Sequence, residues 1–210
     1  MQITVDSPHY PGNYAPGYAA WTVTHGNFIS QGIRWFTRWD ALPKLPIPSH
    51  AFIITGQDST VEAFPDGVHP GTLSAYLNDP EVALLVRKPF GWTPEMGAAI
   101  VAAANQRIGE HYGYSLIVGM AIANSFLGRG LDWITRGHFG NWVEGVFENS
   151  HQEICSEMQG DALRSIPSLA TRGCLQTPSY TLAPVDTFVD QFVFEPDCIE
   201  LVPAGSSIPG

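Results

Sequence analysis

The sequence predicts one domain of mixed helices and strands, and three stretches lead to this prediction. Residues 50–55 and 60–64 are two apolar runs separated by a short polar turn, a pattern typical of a β-hairpin. The Thr93-Pro94-Glu95 sequence combines an N-cap residue, a proline at the first helical position and an acid in the first turn, which predicts a helix start. A third stretch begins at Cys155 and has apolar or small residues at helical spacing, namely Met158, Ala162, Ile166 and Leu169.

The elements before the hairpin are predicted from local patterns. Residues 7–18 are rich in turn residues, and residues 1–18 are expected to form an irregular leader. A short strand is expected over residues 19–24, followed by an amphipathic helix over residues 26–39. The proline-rich segment 43–48 is expected to end that helix and to form a loop.

The elements after the hairpin alternate between helix and strand. Short segments at 72–78 and 82–87 predict a helix and a strand, and the Thr93 helix is expected to continue to Ile108. The later predictions are a helix over 116–127, a lid-like insertion over 128–149, a loop over 167–182, a short helix over 184–191, a strand over 198–202 and a flexible tail over 204–210. We therefore expect a single domain over residues 19–203.

Composition excludes several classes of protein. Among 210 residues, 20 are acidic and 10 basic, giving a formal net charge of −10, which disfavours nucleic acid as a partner. No secretory signal and no membrane-spanning segment is recognised, so a cytoplasmic location is expected. An exposed 116–127 helix would be an apolar patch able to contact lipid.

The three cysteines, Cys155, Cys174 and Cys198, show no paired spacing typical of zinc or redox sites. An odd number leaves at least one thiol free. His138 and His151 could in principle join Cys155 or Cys174 around zinc, but their spacing fits no compact ligand pattern. We therefore expect no metal and no cofactor.

Cys155 is a candidate nucleophile because of where it lies. Ser150 and Glu153 fit a capping box, so a helix is expected to begin within a turn of the cysteine. Unpaired N–H groups and the helix dipole favour the thiolate at such a position. The alternative is that Cys155 is a small buried apolar residue on the helix stripe.

His50 and Glu62 are candidates for the partners of this thiol. His50 opens the first hairpin strand, and Glu62 lies on the second, within cross-strand reach. An imidazole can stabilise a thiolate, and a carboxylate can orient the imidazole through its other nitrogen. The alternative for Glu62 is a solvated carboxylate on the strand face. His69 is expected to lie in a surface loop.

Several stretches together resemble one family, the circularly permuted NlpC-type papain-like cysteine hydrolases. This YiiX-like group is related to lecithin-retinol acyltransferase-like proteins, and the similarity covers about residues 21–202. The stretches are Gly32-Ile33-Arg34-Trp35-Phe36-Thr37, Ser49-His50-Ala51-Phe52-Ile53, Val61-Glu62-Ala63, Gly67-Val68, Leu73, Tyr76-Leu77, Tyr112-Gly113-Tyr114 and Cys155-Ser156-Glu157-Met158. As in the permuted group, the histidine precedes the cysteine along the chain.

The resemblance implies a papain-like α+β fold in which a small antiparallel sheet packs against helices, including the helix that bears the nucleophile. It implies that Cys155 is the nucleophile, His50 the base and Glu62 the third polar residue. Tyr114 matches a tyrosine position of the group and could contact the substrate or its oxyanion; the alternative is that it packs in the core as an ordinary aromatic residue. The sequence departs from the group at Met158-Gln159-Gly160, where a more aliphatic turn is usual, and at the residue 21–23 strand, which lacks a Gly-Asp opening.

Three functions follow from these residues. The first is a thiol hydrolase that cleaves an amide bond, for example in a cell-wall peptide or a peptide conjugate. The second is a lipid acyl hydrolase or acyltransferase that uses the same Cys-His-Glu site. The third is a papain-like module without catalytic activity that serves binding or structure.

Overall fold

The computed structural model describes residues 1–24, 46, 48–64, 67–110 and 155–203. The predictions for segments 26–39, 116–127, 128–149 and 204–210 therefore lie outside the described residues. Over the described ranges the chain forms seven strands, five α-helices and two 3₁₀ helices. The fold is of mixed α+β type.

The strands and helices are numbered in chain order. The strands are β1 (Gln2–Asp6), β2 (Ala19–Thr24), β3 (His50–Ile54), β4 (Ser59–Phe64), β5 (Gly67–Thr72), β6 (Val82–Arg87) and β7 (Asp197–Leu201). The helices are α1 (Leu73–Leu77), α2 (Pro94–Gln106), α3 (Cys155–Arg164), α4 (Pro167–Ala170) and α5 (Pro184–Val189). The 3₁₀ helices are Gly173–Gln176 and Ser179–Thr181.

All seven strands form one sheet in the order β1-β7-β6-β2-β3-β4-β5. The β1–β7 pair is parallel and the other neighbouring pairs are antiparallel. Strand β3, which begins with His50, lies between β2 and β4 and therefore has hydrogen-bonding partners on both sides. The histidine is thus placed by the interior of the sheet.

Alternation along the central strands separates two layers of core. One face carries Trp21, Ala51, Ile53 and Val61, and it forms a single buried cluster with apolar residues of α2 and α3. The opposite face carries Ala20, Phe52 and Ile54 in a second cluster with α1 and the segment before β2. Period-2 alternation with both faces buried explains why these strands contain few polar residues.

The predicted helix that carries Cys155 is confirmed from Cys155 onward, and its stripe is buried. Cys155, Met158, Ala162, Ile166 and Leu169 all lie in the first core cluster. The helix ends at Arg164, and Ile166 becomes the N-cap of α4, whose first residue is Pro167. A proline at that position cannot donate a backbone N–H to a continuing helix, so the stripe passes into a second, short helix.

Two strands, β1 and β5, were not predicted from the sequence, and they form the two edges of the sheet. The irregular leader over residues 1–18 is wrong for Gln2–Asp6, which pairs with β7 as β1. His69 was expected in a loop, but it lies in β5, which also contains Pro70 and Gly71. Proline is tolerated in a strand that has a neighbour on one side only, so the turn-like composition of β5 hid an edge strand. The sheet is consequently larger than the small antiparallel sheet that was expected.

The rest of the predicted leader is also packed against the domain. Tyr14, Ala15 and Tyr18 are buried in the second core cluster. The Tyr14 hydroxyl donates to the backbone oxygen of Gln57 at 2.8 Å. The domain therefore includes residues before Ala19, and its predicted boundary at that position is too late.

The predicted loop over residues 167–182 contains regular structure as well, since α4 and the two 3₁₀ helices lie within it. The predictions of a strand at 19–24, a hairpin at 50–64, helices near 73–77 and 94–106, and a last strand near 198–202 agree with the observed elements within a few residues. Thr93 accepts a hydrogen bond from the N–H of Met96, as expected for an N-cap. Among the described residues, none of the helices is long and apolar enough to cross a membrane.

Candidate active site

His50 is the first residue of β3, and its position on the strand decides which residues it can reach. Its side chain is 16% exposed, and its Nε2 lies 3.2 Å from Glu62 Oε2. The β3–β4 register pairs Phe52 with Glu62, so Glu62 is the diagonal neighbour of His50 on the same face of the sheet. The hairpin thereby sets the imidazole–carboxylate contact.

Glu62 is a buried carboxylate. Its side chain is 1% exposed, so the alternative of a solvated strand-face residue does not describe it. The hydroxyl of Thr60 donates to Oε1, and the hydroxyl of Tyr76 donates to Oε2, which also contacts His50. Burial alone would raise the pKa of Glu62, but His50, Thr60 and Tyr76 outweigh it and lower the pKa. Glu62 is therefore ionised at neutral pH.

Cys155 lies at the start of α3, where the helix meets the beginning of β3. The thiol is buried, and the groups that act on its ionisation are the His50 imidazole and the backbone N–H groups of Ala51 and Ser156. Burial alone would raise the pKa of the thiol, but the hydrogen bond and charge of His50, together with those N–H groups, lower it. The site therefore favours the thiolate.

The pKa of the His50 imidazole is raised by both of its partners, Cys155 and Glu62. Burial would lower the pKa of the imidazole, but hydrogen bonds with Cys155 and Glu62, and the charges of both, raise it to about 9. Because Nε2 contacts Glu62, Nδ1 is the ring nitrogen left for the sulfur. A raised imidazole pKa beside a lowered thiol pKa describes a thiolate–imidazolium pair at neutral pH.

Helix α3 is held against the sheet by polar as well as apolar contacts. Gln159 is fully buried and donates from Nε2 to the backbone oxygens of Ala20 at 3.2 Å and Phe52 at 3.0 Å. The hydroxyl of Ser156 donates to the backbone oxygen of Leu182 at 2.5 Å. These bonds tie the first turns of the helix to β2, β3 and the segment before α5, and they fix where Cys155 lies.

The unusual Met158-Gln159-Gly160 turn has a structural explanation. Gln159 supplies the two bonds to strand backbone, and Met158 lies in the core. A Cβ at Gly160 would lie 2.8 Å from Leu182 Cδ1, so a side chain there would require that leucine side chain to move. A polar residue and a glycine at these positions therefore fit a helix that lies close to the strands and to Leu182.

Aromatic rings surround the imidazole. Phe64 stacks on His50 with ring centroids 5.2 Å apart, and Phe52 lies 5.6 Å away. Tyr76 in turn stacks on Phe52 at 5.1 Å. Phe64 is 37% exposed and thus presents apolar surface next to the imidazole.

The structure therefore brings together Cys155, His50 and Glu62, the three residues that the sequence analysis proposed. The fourth, Tyr114, lies outside the described residues, as do Ser150 and Glu153 of the predicted capping box. His138 and His151 also lie there. Within the described ranges, no group of three histidine, cysteine or acidic side chains could hold a metal ion.

Three residues of the site were missed from the sequence. Thr60 could have been found, since it precedes Glu62 by two positions on a strand and must share its face. Tyr76 and Gln159 reach the site from α1 and the second turn of α3, and only the packing of these helices brings them there. No local pattern in the sequence indicates that.

Cys174 and Cys198 differ from Cys155 in their surroundings. Burial and the neighbouring Asp190 carboxylate raise the pKa of Cys174 well above the usual range of a thiol. Burial raises the pKa of Cys198 to about 12. All three cysteines are unpaired thiols, and Cys155 alone has an imidazole partner and a lowered pKa.

Comparison with known proteins gives no further guide, since neither a family model nor a curated protein matches this chain.

Proposed function

We propose that this protein is a cysteine-dependent hydrolase that forms a thioester acyl-enzyme on Cys155 and cleaves an amide bond. The observation that carries the proposal is the juxtaposition of a buried Cys155 thiol with the His50 imidazole, whose Nε2 lies 3.2 Å from Glu62 Oε2. A lowered thiol pKa beside an imidazole is the condition for a cysteine nucleophile at neutral pH. The peptide bond of a cell-wall fragment or a peptide conjugate is the class of substrate proposed.

The residues support a two-step reaction. The Cys155 thiolate attacks the carbonyl carbon, and the C–O double bond becomes a single bond to an oxyanion. As the tetrahedral intermediate collapses, the C–N bond breaks and the amine leaves with the proton of the His50 imidazolium. Neutral His50 then takes a proton from water, the hydroxide attacks the thioester, and the carboxylic acid product leaves the regenerated thiolate.

The oxyanion needs donors near the sulfur. The N–H groups of Ala51 and Ser156 favour the Cys155 thiolate, and Ser156 N–H lies in the first turn of α3. Backbone donors at a nucleophile commonly stabilise a tetrahedral oxyanion. Tyr114 stays a candidate for a further donor.

The proposed fold is papain-like and circularly permuted. Its support is the contact between the start of the cysteine helix and the first residue of the histidine strand, in a mixed α+β domain. The order along the chain, with His50 and Glu62 before Cys155, fits the permuted arrangement that the sequence resembles.

A lipid acyl hydrolase or acyltransferase is the second candidate, and one observation favours it. Phe64 is partly exposed and stacks on the imidazole at 5.2 Å, so an apolar chain could lie against it beside the reacting atoms. An ester substrate would pass through the same thioester on Cys155. The two candidates differ in the leaving group and in the chain that contacts Phe64.

The test is a paired substrate panel with trapping of the acyl-enzyme. Fluorogenic peptide amides, cell-wall peptide fragments and acyl esters of several chain lengths would be incubated with the wild type and with Cys155→Ala. Amide cleavage with a mass increment on the Cys155 peptide supports the first candidate, and preference for long acyl esters supports the second. Turnover that persists in Cys155→Ala would overturn the cysteine mechanism. No turnover and no covalent adduct with either panel would leave a non-catalytic module.

A further inference from the structure

The Glu62 carboxylate is bound from three different elements of the fold. Oε2 accepts hydrogen bonds from the Tyr76 hydroxyl and contacts His50 Nε2, while Oε1 accepts from the Thr60 hydroxyl. The donors belong to α1, β3 and β4 respectively. Donors on both oxygens fix the plane of a carboxylate, which a single contact to His50 would leave free to rotate.

Tyr76 is itself held in place. Its ring stacks on Phe52 with centroids 5.1 Å apart and an interplanar angle of 16°. Helix α1 is anchored at Ser74, whose N–H and hydroxyl donate to the two oxygens of Asp58 at 2.7 and 2.9 Å. The phenol therefore reaches Glu62 from a fixed element.

Gly71 leaves the space that the carboxylate occupies. It pairs with Thr60 across β4 and β5. A Cβ at this glycine would lie 2.6 Å from Thr60 Oγ1 and would overlap Glu62 Oε1. Any side chain at Gly71 would therefore displace the carboxylate or the hydroxyl that binds it.

We propose that Tyr76 and Thr60 are positioning residues that keep the Glu62 carboxylate ionised and aimed at His50, and that Gly71 provides the room for this arrangement. Both donors are neutral hydroxyls, so they stabilise the anion without placing a second positive charge beside the imidazolium. The relevance of this arrangement for turnover rests on the proposed cysteine hydrolase function. Its effect on the protonation of His50 does not.

Among the described residues, the charged and titratable groups around Glu62 are few enough to name. His50 and Tyr76 contact it directly, and Cys155 acts through His50. His69 of β5 is its register partner across β4 and β5. A shift in the titration of His50 on removal of a neutral hydroxyl can thus be assigned through Glu62.

The test is the titration of His50 by NMR of the imidazole in Tyr76→Phe, with Tyr14→Phe as the matched control. Tyr14 also donates its hydroxyl to an acceptor, the Gln57 backbone oxygen, but away from this site. We expect Tyr76→Phe to lower the His50 titration midpoint by about one pH unit and Tyr14→Phe to leave it unchanged. Equal midpoints in Tyr76→Phe and the wild type would overturn the proposal.

A second pair of variants guards against a fault in folding. Thr60→Val removes the hydroxyl at nearly constant volume, and Thr60→Ser keeps it. We expect the valine variant to lower the His50 midpoint and the serine variant to restore it. Equal midpoints in the two variants would contradict the role of the hydroxyl, because both alter the packing of the same residue.

The outcome is separable from that of the proposed function. The titrations need no substrate, so a protein that cleaves nothing but shows the expected shifts would retain the positioning role and lose the hydrolase proposal. If the protein is an active hydrolase but its His50 titration midpoint is the same in the Tyr76 and Thr60 variants as in the wild type, the hydrolase proposal is retained and the positioning role is lost.

Discussion

His50 Nε2 lies 3.2 Å from Glu62 Oε2, and the two residues belong to neighbouring strands in the interior of one sheet. His50 pairs with Thr22 of β2, and β3 pairs with β4 from Phe52 onward, so the strand that carries the imidazole is held on both sides. The imidazole can therefore change its charge while its position stays the same. The chemistry expected of the site depends on this pair and on the Cys155 thiol beside it.

Replacing Cys155 by alanine should abolish acyl transfer. The sulfur is the only atom of the site that can form the thioester, so we expect kcat/KM to fall about a thousandfold or more. The measurement is a progress curve with whichever substrate the panel identifies. Cys174→Ala is the control, since its thiol has a raised pKa and lies outside the site. A Cys174→Ala protein that loses as much activity as Cys155→Ala would contradict the assignment of the nucleophile.

The pH profile of kcat/KM should be broad and bell-shaped. Ionisation of Cys155 sets the acid limb, below the usual range of a thiol because its pKa is lowered, and loss of the His50 proton sets the basic limb near pH 9. The pKa of His50 is raised from 6.5, so the stability that its partners give is present below that value and is lost as pH rises through about 9. A basic limb near the ordinary histidine value would show that the imidazolium is not stabilised.

Glu62→Gln should narrow the pH profile of kcat/KM by moving its basic limb to lower pH. The neutral amide removes a negative charge that raises the pKa of His50, so the basic limb should move down and kcat/KM at neutral pH should fall about tenfold or more. Glu110→Gln offers a control, because Glu110 is an exposed carboxylate that pairs with Arg107 at 3.1 Å. If the basic limb of Glu62→Gln coincides with that of the wild type, Glu62 does not act through His50.

The elements and contacts that the sequence predicted correctly are those in which residues close together in the chain also lie together in the fold. The hairpin of β3 and β4 is encoded by two apolar runs and a polar turn, and the same hairpin brings His50 and Glu62 together. The buried stripe of α3 was also readable, because helical spacing of Met158 and Ala162 survives any packing arrangement. The contact of Cys155 with His50 came from the resemblance, since no spacing rule joins residues that far apart in the chain.

The features that were not predicted, namely strand β5 and the roles of Tyr76 and Gln159, depend on residues that are distant in the sequence. Pro70 and Gly71 look like a turn, but an edge strand accepts a proline, and Gly71 is needed because Glu62 fills the space of its side chain. Tyr76 resembles an ordinary core aromatic until α1 brings its hydroxyl to the carboxylate. Gln159 interrupts an apolar stripe and would be read as solvent-facing, yet it bonds two strand carbonyls in the core.

Arg87 should be a major contributor to stability outside the site. It is 1% exposed, and its guanidinium donates to the backbone oxygens of Phe188 at 2.5 Å, Asp190 at 2.8 Å and Glu195 at 2.7 Å. Arg87→Met would leave these acceptors without their donor, and we expect the free energy of unfolding to fall by about 2–4 kcal/mol. Urea denaturation followed by circular dichroism measures it.

The neighbouring residue provides the control for that experiment. Lys88 pairs with Glu195 at 3.2 Å, but both side chains are about one third exposed. Solvent screens such a pair, so Lys88→Met should change the unfolding free energy by less than about 1 kcal/mol. Similar losses in the two variants would show that the guanidinium bonds do not stabilise the segment from Phe188 to Glu195.

The most direct test of the account is the charge on Cys155 in the intact protein. Ultraviolet absorbance of the thiolate would be followed against pH as the difference between the wild type and Cys155→Ala, with His50→Ala titrated in parallel. We expect a thiolate that persists well below the usual pKa of a cysteine in the wild type and that is lost at neutral pH in His50→Ala. The proposed site would be contradicted if the wild-type thiol ionised only in the ordinary range of a cysteine. It would also be contradicted if the thiol titrated identically in the wild type and in a folded His50→Ala protein.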